Sequence, residues 1–123
     1  MGLIGRVTAD REARIPLRVR SGEGTEREVD AVIDTGFNGV LGLSLRLIEE
    51  LGLARVGRER MLLANGEFHF ARIYRAIVNL EDRVYSVRAV EAGEPLVGMG
   101  LLWEYELCIQ CTDGGQVDLK HLS

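Results

Sequence analysis

The triplet Asp34-Thr35-Gly36 is the group of residues in this chain best suited to carry out chemistry. The apolar residues Val29, Ala31, Val32 and Ile33 precede it and an apolar segment over residues 40–43 follows it, so a buried strand should deliver the carboxylate at its end. A carboxylate fixed there can exchange protons with a bound molecule, and the glycine leaves room for a second backbone. None of the other aspartates is followed by Thr-Gly. A second carboxylate of the same kind must therefore come from another copy of the chain.

Short segments in which apolar and polar residues alternate predict that strands position this triplet. The predicted strands cover residues 3–8, 15–20, 28–33, 60–64, 67–74, 75–80, 84–90, 105–111 and 116–119. One main helix is predicted over residues 44–51, because Ser44 can cap its first turn and Gly52 can adopt the left-handed conformation that ends it. The pattern predicts a fold made mostly of strands.

The dipeptide Asn65-Gly66 lies between two of the predicted strands and indicates a hairpin. Both residue types tolerate positive φ, which suits a tight two-residue turn. We expect this hairpin to project from the fold as a ribbon.

Length and charge limit the classes of protein to consider. The 123 residues suit one domain over residues 1–123, and a net charge of -4 disfavours nucleic acid as a partner. The chain contains neither an apolar run long enough to cross a membrane nor a signal peptide. We therefore expect a cytoplasmic protein that has no membrane partner.

The two cysteines, Cys108 and Cys111, form a single C-x-x-C pattern. Both fall within the strand predicted over residues 105–111, where an offset of three residues points side chains to opposite faces. We interpret them as separate, half-buried thiols. A redox or zinc pair remains the less favoured alternative.

Three features follow one another along the chain: the segment AVIDTGFNGVL over residues 31–41, the Asn-Gly hairpin, and the segment LVGMGLL over residues 96–102. Together they resemble the single-domain, retropepsin-like aspartic proteases, in particular the prokaryotic branch with Phe after Asp-Thr-Gly. The resemblance covers nearly the whole chain. It implies an all-β, closed, barrel-like acid-protease fold with one main helix, here residues 44–51, that works as a homodimer on peptide or protein substrates.

The resemblance also implies roles for individual residues. Asp34 would be the catalytic carboxylate, Thr35 would bond across the dimer axis, and Gly36 would leave backbone room for an extended substrate. The residues expected to contact substrate are Phe37, Asn38, Leu63, Ala64, Asn65, Gly66, Leu96 and Val97, with Asn65 and Gly66 at the tip of a flap. Two Asp34 carboxyls would share a proton and activate a water for endopeptidase hydrolysis, without a cofactor or a metal.

The chain departs from the retroviral pattern at three positions. Asn38 and Met99 stand where those enzymes carry an aspartate and an arginine that pair with each other, so this ion pair cannot form. Phe37 replaces a small residue, which predicts either a narrower pocket beside Asp34 or a differently packed loop. Substrate preferences therefore cannot be transferred from the family.

Other functions remain open on the sequence alone. The same fold could serve as a non-catalytic peptide-binding or dimerisation module, and the cysteines could belong to a thiol redox protein. The triplet could also be a structural turn at a strand end. An Asp-x-Gly phosphate loop of the actin-like kinases is disfavoured, because that fold needs a far longer chain and no Walker-type motif occurs.

Overall fold

Alternation of buried and exposed side chains explains why the chain forms strands. Ile15, Leu17 and Val19 are fully buried, whereas Pro16 and Arg18 between them are exposed. A period of two places one face of a strand against the core and the other against solvent. The computed structural model describes residues 3–123, which form ten strands and two helices.

The elements follow one another in an order that is nearly all strand. The strands are β1 (Leu3–Val7), β2 (Ala13–Arg20), β3 (Glu26–Ile33), β4 (Leu41–Leu43), β5 (Arg55–Leu62), β6 (Phe68–Leu80), β7 (Arg83–Glu91), β8 (Leu96–Val97), β9 (Tyr105–Ile109) and β10 (Gln116–His121), and the helices are α1 (Leu45–Leu51) and α2 (Met99–Leu102).

Six strands close into a barrel, in the order β2, β3, β8, β4, β7 and β6, with β6 pairing back to β2. The pairs β3 with β8 and β4 with β7 are parallel, and the other pairs are antiparallel. The prediction of a mostly β, barrel-like fold is confirmed at this level. The barrel interior is apolar and includes Ile15, Leu17, Ala31, Leu41, Ala76, Val78 and Val97.

A second set of strands extends the sheet from β2 through β1 and β10 to β9. Each strand in this extension pairs antiparallel with its neighbour. The hydroxyl groups of Tyr85 and Tyr105 lie 2.7 Å apart and form a hydrogen bond, which joins β7 to β9. The extension is therefore attached to the barrel by more than the sheet itself.

The helix predicted over residues 44–51 is confirmed as α1. Ser44 is its N-cap, and its hydroxyl accepts a hydrogen bond from the amide of Leu47 at 3.2 Å. Gly52 ends the helix with φ 65°. The buried side chains Ile48 and Leu51 attach the helix to the core. Across residues 3–123, no helix has the length and apolar character needed to cross a membrane.

Three sequence-based expectations differ from the structure. The strands predicted over residues 67–74 and 75–80 are one strand of 13 residues, β6, since no turn residue separates them. Strand β5 begins at Arg55, earlier than predicted, because pairing with β6 orders a segment that lacks a buried face. Strand β9 ends at Ile109, so Cys111 lies outside it; Cys108 and Cys111 are both free and exposed rather than half-buried.

Candidate active site

Asp34 follows the last residue of β3, and backbone hydrogen bonds to the segment around β8 fix its position. The amide of Asp34 donates to the carbonyl oxygen of Val97 at 2.9 Å, and the amide of Val32 donates to that of Pro95 at 2.9 Å. These bonds continue the parallel pairing of β3 with β8. Asp34 is itself partly exposed. The strand end is thus held in place while its carboxylate can be reached from solvent.

The residues after β3 form a tight turn that closes on the Asp34 carboxylate. Oδ1 of Asp34 accepts a hydrogen bond from the amide of Gly36 at 3.0 Å, and the amide of Phe37 donates to the Asp34 carbonyl oxygen at 3.1 Å. A local bond of this kind holds the carboxylate in one orientation. Thr35 and Gly36 are exposed at the tip of the turn, where a second molecule can contact them.

Three backbone hydrogen bonds clamp this loop to the start of α2. The amides of Gly98, Met99 and Gly100 donate to the carbonyl oxygens of Val40, Phe37 and Gly39 at 3.1, 2.8 and 3.0 Å. A Cβ at position 98 would overlap the Gly39 carbonyl oxygen and lie 2.6 Å from that of Phe37. Glycine is required there because the two backbones touch.

The side chain of Phe37 packs on the loop's own backbone. A Cβ added at Gly39 would lie 2.5 Å from the Phe37 ring, and one added at Gly98 would lie 2.6 Å from it. The Phe37 ring is thus packed against Gly39 and Gly98 of the clamped loop, whereas a narrower pocket beside Asp34 stays a prediction. Asn38 is exposed beside it, and the backbone bond from the Met99 amide to the Phe37 carbonyl oxygen joins this loop to the start of α2.

Strand β8 brings Leu96 and Val97 between β3 and β4. Val97 is fully buried in the barrel core, whereas Leu96 is partly exposed. In this chain only Leu96 of the pair has surface that a ligand could reach. Val97 instead supports the Asp34 loop through the core and through its carbonyl oxygen.

The tip of the β5–β6 hairpin is a three-residue loop rather than the predicted two-residue turn. The amide of Leu63 donates to the Glu67 carbonyl oxygen at 2.7 Å, and the amide of Gly66 donates to that of Leu63 at 3.0 Å. Gly66 has φ 86°, whereas Asn65 does not have positive φ. The Asn65 side chain accepts a bond from the Glu67 amide at 3.0 Å instead. These features match a type I turn followed by a glycine bulge.

The hairpin tip is open to solvent. Leu63, Ala64, Asn65 and Gly66 are all exposed, as expected for a ribbon that projects from the fold. A two-stranded ribbon without cover on either face has few contacts that hold it still. Its place in the sequence and its exposure suit a segment that contacts a ligand.

A cleft of about 490 Å³ lies beside the strand end that carries Asp34. Ile33, the residue before Asp34, lines the cleft together with Val7, Thr8, Ala13, Ile109 and Cys111, among others. Its lining mixes apolar side chains with a few polar groups, as ligand clefts commonly do. The cleft reaches the residue before Asp34, but neither Asp34 itself nor residues 63–66 line it.

Arg14 connects the strands that surround the site. Its guanidinium contacts Glu12 at 2.7 Å, Glu94 at 3.0 Å and Asp30 at 3.5 Å. The hydrogen bond that Arg14 donates to Glu12, together with the charge of the nearby carboxylates, raises the pKa of Arg14 above its ordinary value. Because Glu94 lies just before β8, these ion pairs attach the segment that leads into β8 to strands β2 and β3.

Sequence reasoning missed Gly39, Gly100 and Arg14 as supports of the site. The pattern Gly98-Met99-Gly100 is a visible signal for a close backbone approach, but it does not reveal which segment approaches. Within the described residues, no group of three or more His, Cys, Asp or Glu side chains could hold a metal ion.

Comparison with profiles of known protein families gives no match for this chain, and a search of curated proteins gives no significant match. The function of this chain is therefore inferred from the geometry of its site. One oriented, accessible carboxylate per chain can act as a general acid or base.

Proposed function

We propose that the chain is an aspartic endopeptidase with a retropepsin-like fold, active as a homodimer in which each protomer supplies one Asp34. The observation that carries the proposal is the mounting of the Asp34 loop. The carboxylate is oriented by its own turn, and the loop is clamped by three backbone bonds to the glycine-rich start of α2. This support fixes the position of the carboxylate, which a general acid or base requires.

The proposed reaction uses the two carboxyls in different protonation states. Two carboxylates at short range share one proton, and aspartic proteases are the reference case of such a pair. The ionised Asp34 removes a proton from water, which attacks the peptide carbonyl carbon, while the protonated Asp34 of the second copy donates to the carbonyl oxygen. Collapse of the tetrahedral diol then breaks the C–N bond: the amine nitrogen takes the proton that Asp34 removed from water, and one diol hydroxyl returns its proton to the other carboxylate as the carbonyl of the free acid forms.

The pairing of the terminal strands bears on how two copies could meet. Strand β10 already pairs with β1 on one side and β9 on the other within the chain. An interleaved sheet of terminal strands from two copies would require these pairings to open. Exposure of Thr35 and Gly36 supports a different contact, with the two turns facing each other across the two-fold axis.

The proposed role for the ribbon is to close over a bound peptide. An extended substrate would lie between the β5–β6 hairpin and the Asp34 loop, and its backbone would add to the ribbon as a further strand. Closure would exclude water other than the attacking one. The exposure of residues 63–66 supports this role because a lid must be free to move.

A direct experiment separates this proposal from a non-catalytic peptide-binding module, which the exposed ribbon would serve equally well. Purified protein is incubated with an unfolded protein substrate from acidic to neutral pH, and fragments are identified by mass spectrometry. We expect internal cleavage that is suppressed by a statine-containing peptide, which mimics the tetrahedral intermediate. Tight binding of that peptide without cleavage at any pH would favour the binding module.

A further inference from the structure

The projecting part of the β5–β6 hairpin, here called the ribbon, carries arginine and apolar side chains on one of its faces. Strand β6 pairs with β7 from Ile73 onward, so its first residues, 68–72, pair with β5 but not with β7. This part of the hairpin is a two-stranded ribbon whose faces are both largely exposed. Its side chains are therefore free to contact a partner.

The register of the two strands shows which side chains share a face. Cross-strand partners lie on the same side of an antiparallel pair, and so do residues two positions apart on one strand. The pairs Arg58 with Arg72, Arg60 with Phe70, and Leu62 with Phe68 therefore form one face. We call these six residues the arginine face.

The arginine face is positively charged without compensation. Arg58, Arg60 and Arg72 make no ion pair among residues 3–123, although the chain as a whole has a net charge of -4. The acidic residue Glu59 points to the opposite face, where it pairs with Arg88. Positive charge is thus concentrated on one side of the ribbon.

Two of the arginines are held over aromatic rings. The guanidinium carbon of Arg60 lies 4.2 Å from the centre of the Phe68 ring, and that of Arg58 lies 5.0 Å from the Phe70 ring. Stacking restrains each planar guanidinium and leaves its N–H groups free to bond a carboxylate. Phe68 and Phe70 keep 58% and 59% of their surface exposed, which is a large apolar area for a free surface.

The arginine face lies on the inner side of the ribbon. Alternate residues along β6 share one side, and Tyr74, Ala76 and Val78 on that side are buried in the barrel core. Phe68, Phe70 and Arg72 continue the same side beyond the barrel. A chain lying between the ribbon and the end of the barrel would therefore meet the arginines.

We propose that the arginine face binds the acidic side chains of an extended peptide, so that the preferred substrates carry Asp or Glu near the bond to be cleaved. The proposal rests on the proposed endopeptidase function. Alternate side chains of an extended peptide are about 6.6 Å apart, which is also the spacing of Arg58 and Arg60 along β5. Acidic residues at alternate positions should therefore bind best.

Binding can be measured separately from cleavage. Asp34→Asn protein is titrated into fluorescently labelled extended peptides that have Glu, Gln or Lys at alternate positions and are otherwise identical, at low and high salt. We expect the Glu peptide to bind about tenfold tighter than the Gln peptide, from the sum of two or three exposed ion pairs. High salt should weaken this preference because it screens exposed charges.

Substitutions at the arginine face and at a matched control position test whether the preference for the Glu peptide depends on this face. The double substitution Arg58→Gln and Arg60→Gln should remove the preference for Glu, whereas Arg27→Gln, which removes an exposed arginine of β3, should leave it unchanged. Thermal unfolding of each variant checks that the fold is retained. Equal affinity for the Glu and Gln peptides, or a preference that survives the double substitution, would overturn the proposal.

Two further outcomes separate this inference from its alternatives. A single-stranded oligonucleotide that binds tighter than the Glu peptide and displaces it would identify a nucleic-acid surface and refute the peptide assignment. Cleavage by the unmodified protein without any preference for Glu would refute the arginine-face proposal alone. A preference for Glu in binding, combined with no cleavage by the unmodified protein, would support the arginine face and refute the endopeptidase.

Discussion

The loop that carries Asp34 depends on glycines at points where two backbones nearly touch. Gly98 and Gly100 donate backbone bonds to the loop, and a side chain at either position would collide with the Gly39 carbonyl oxygen. Since the colliding atom belongs to the backbone, it cannot move aside as the end of a flexible side chain can. The geometry of the carboxylate thus depends on residues that never touch a ligand.

A substitution at position 98 tests this dependence. Gly98→Ala should lower the free energy of unfolding by about 1 to 3 kcal/mol, the usual cost of forcing extra volume into a packed site. Gly93→Ala is the control, because no atom lies within 4 Å of a Cβ there and its φ is not positive. The control should change stability by less than about 1 kcal/mol. Urea unfolding that shows equal stability for both variants would contradict the clamp.

At the level of elements, the ribbon shows where sequence reasoning succeeds and where it stops. Asn65-Gly66 correctly indicated a hairpin, yet the turn has three residues because Asn65 bonds the Glu67 amide through its side chain and Gly66 alone takes positive φ. A two-residue turn and a three-residue turn both suit an Asn-Gly dipeptide, so which of them forms depends on the register of β5 with β6. Register is a property of the pair of strands and is not visible in either one alone.

Hydrogen exchange tests the ribbon as a mobile lid. Amides over residues 63–67 should exchange faster than those over residues 31–33, which lie in a strand paired on both sides. Protection at the ribbon should rise when a peptide inhibitor is added, because closure orders the hairpin. Slow exchange at the tip without ligand, or no change with inhibitor, would show that another segment closes the site.

The contact between β7 and β9 gives a prediction at alkaline pH. Burial, and then the hydrogen bond with Tyr85, raise the pKa of Tyr105 above its ordinary value. A raised phenol pKa contributes stability that is fully present below about pH 10 and is lost as pH rises through the folded-state value. Tyrosinate absorbance should therefore show one tyrosine that ionises late, with its shift reduced but not abolished by Tyr85→Phe.

The control for this titration is the protein unfolded in urea, in which all tyrosines should ionise together near pH 10, as in model peptides. A folded protein in which no tyrosine ionises later than in urea would contradict the buried contact between β7 and β9. Unchanged late ionisation in Tyr85→Phe would show that burial alone causes the shift.

For the whole molecule, closure of the barrel was expected from the family resemblance but not from the local patterns of the sequence. The strand that carries Asp34 and the capped helix α1 were predictable, because local patterns of apolar residues and caps define them. The insertion of β8 between β3 and β4 joins segments more than fifty residues apart along the chain. Periodicity and turn signals report on neighbouring residues, so they could not reveal this contact or the role of Arg14 in holding it.

At the scale of the whole molecule, we predict that activity requires a symmetric dimer. Because one chain supplies one Asp-Thr-Gly loop, peptide cleavage per molecule should fall on dilution in parallel with dissociation of a symmetric dimer seen by sedimentation. Thr35→Ala should raise the dissociation constant about tenfold or more, since each protomer loses a hydrogen bond worth about 1 kcal/mol. The control is Thr25→Ala, an exposed threonine in the turn between β2 and β3. Full activity from a monomer would contradict the two-fold site.

The central claim, that Asp34 is the catalytic carboxylate, is tested most directly by comparing two substitutions of the same kind. Asp34→Asn keeps the shape of the side chain but cannot transfer the proton, whereas Asp82→Asn makes the same change at an exposed carboxylate in the turn between β6 and β7. With both variants folded, cleavage of an unfolded protein should fall at least about a hundredfold in Asp34→Asn and stay near the unmodified rate in Asp82→Asn. Cleavage by Asp34→Asn at close to the unmodified rate would contradict the account.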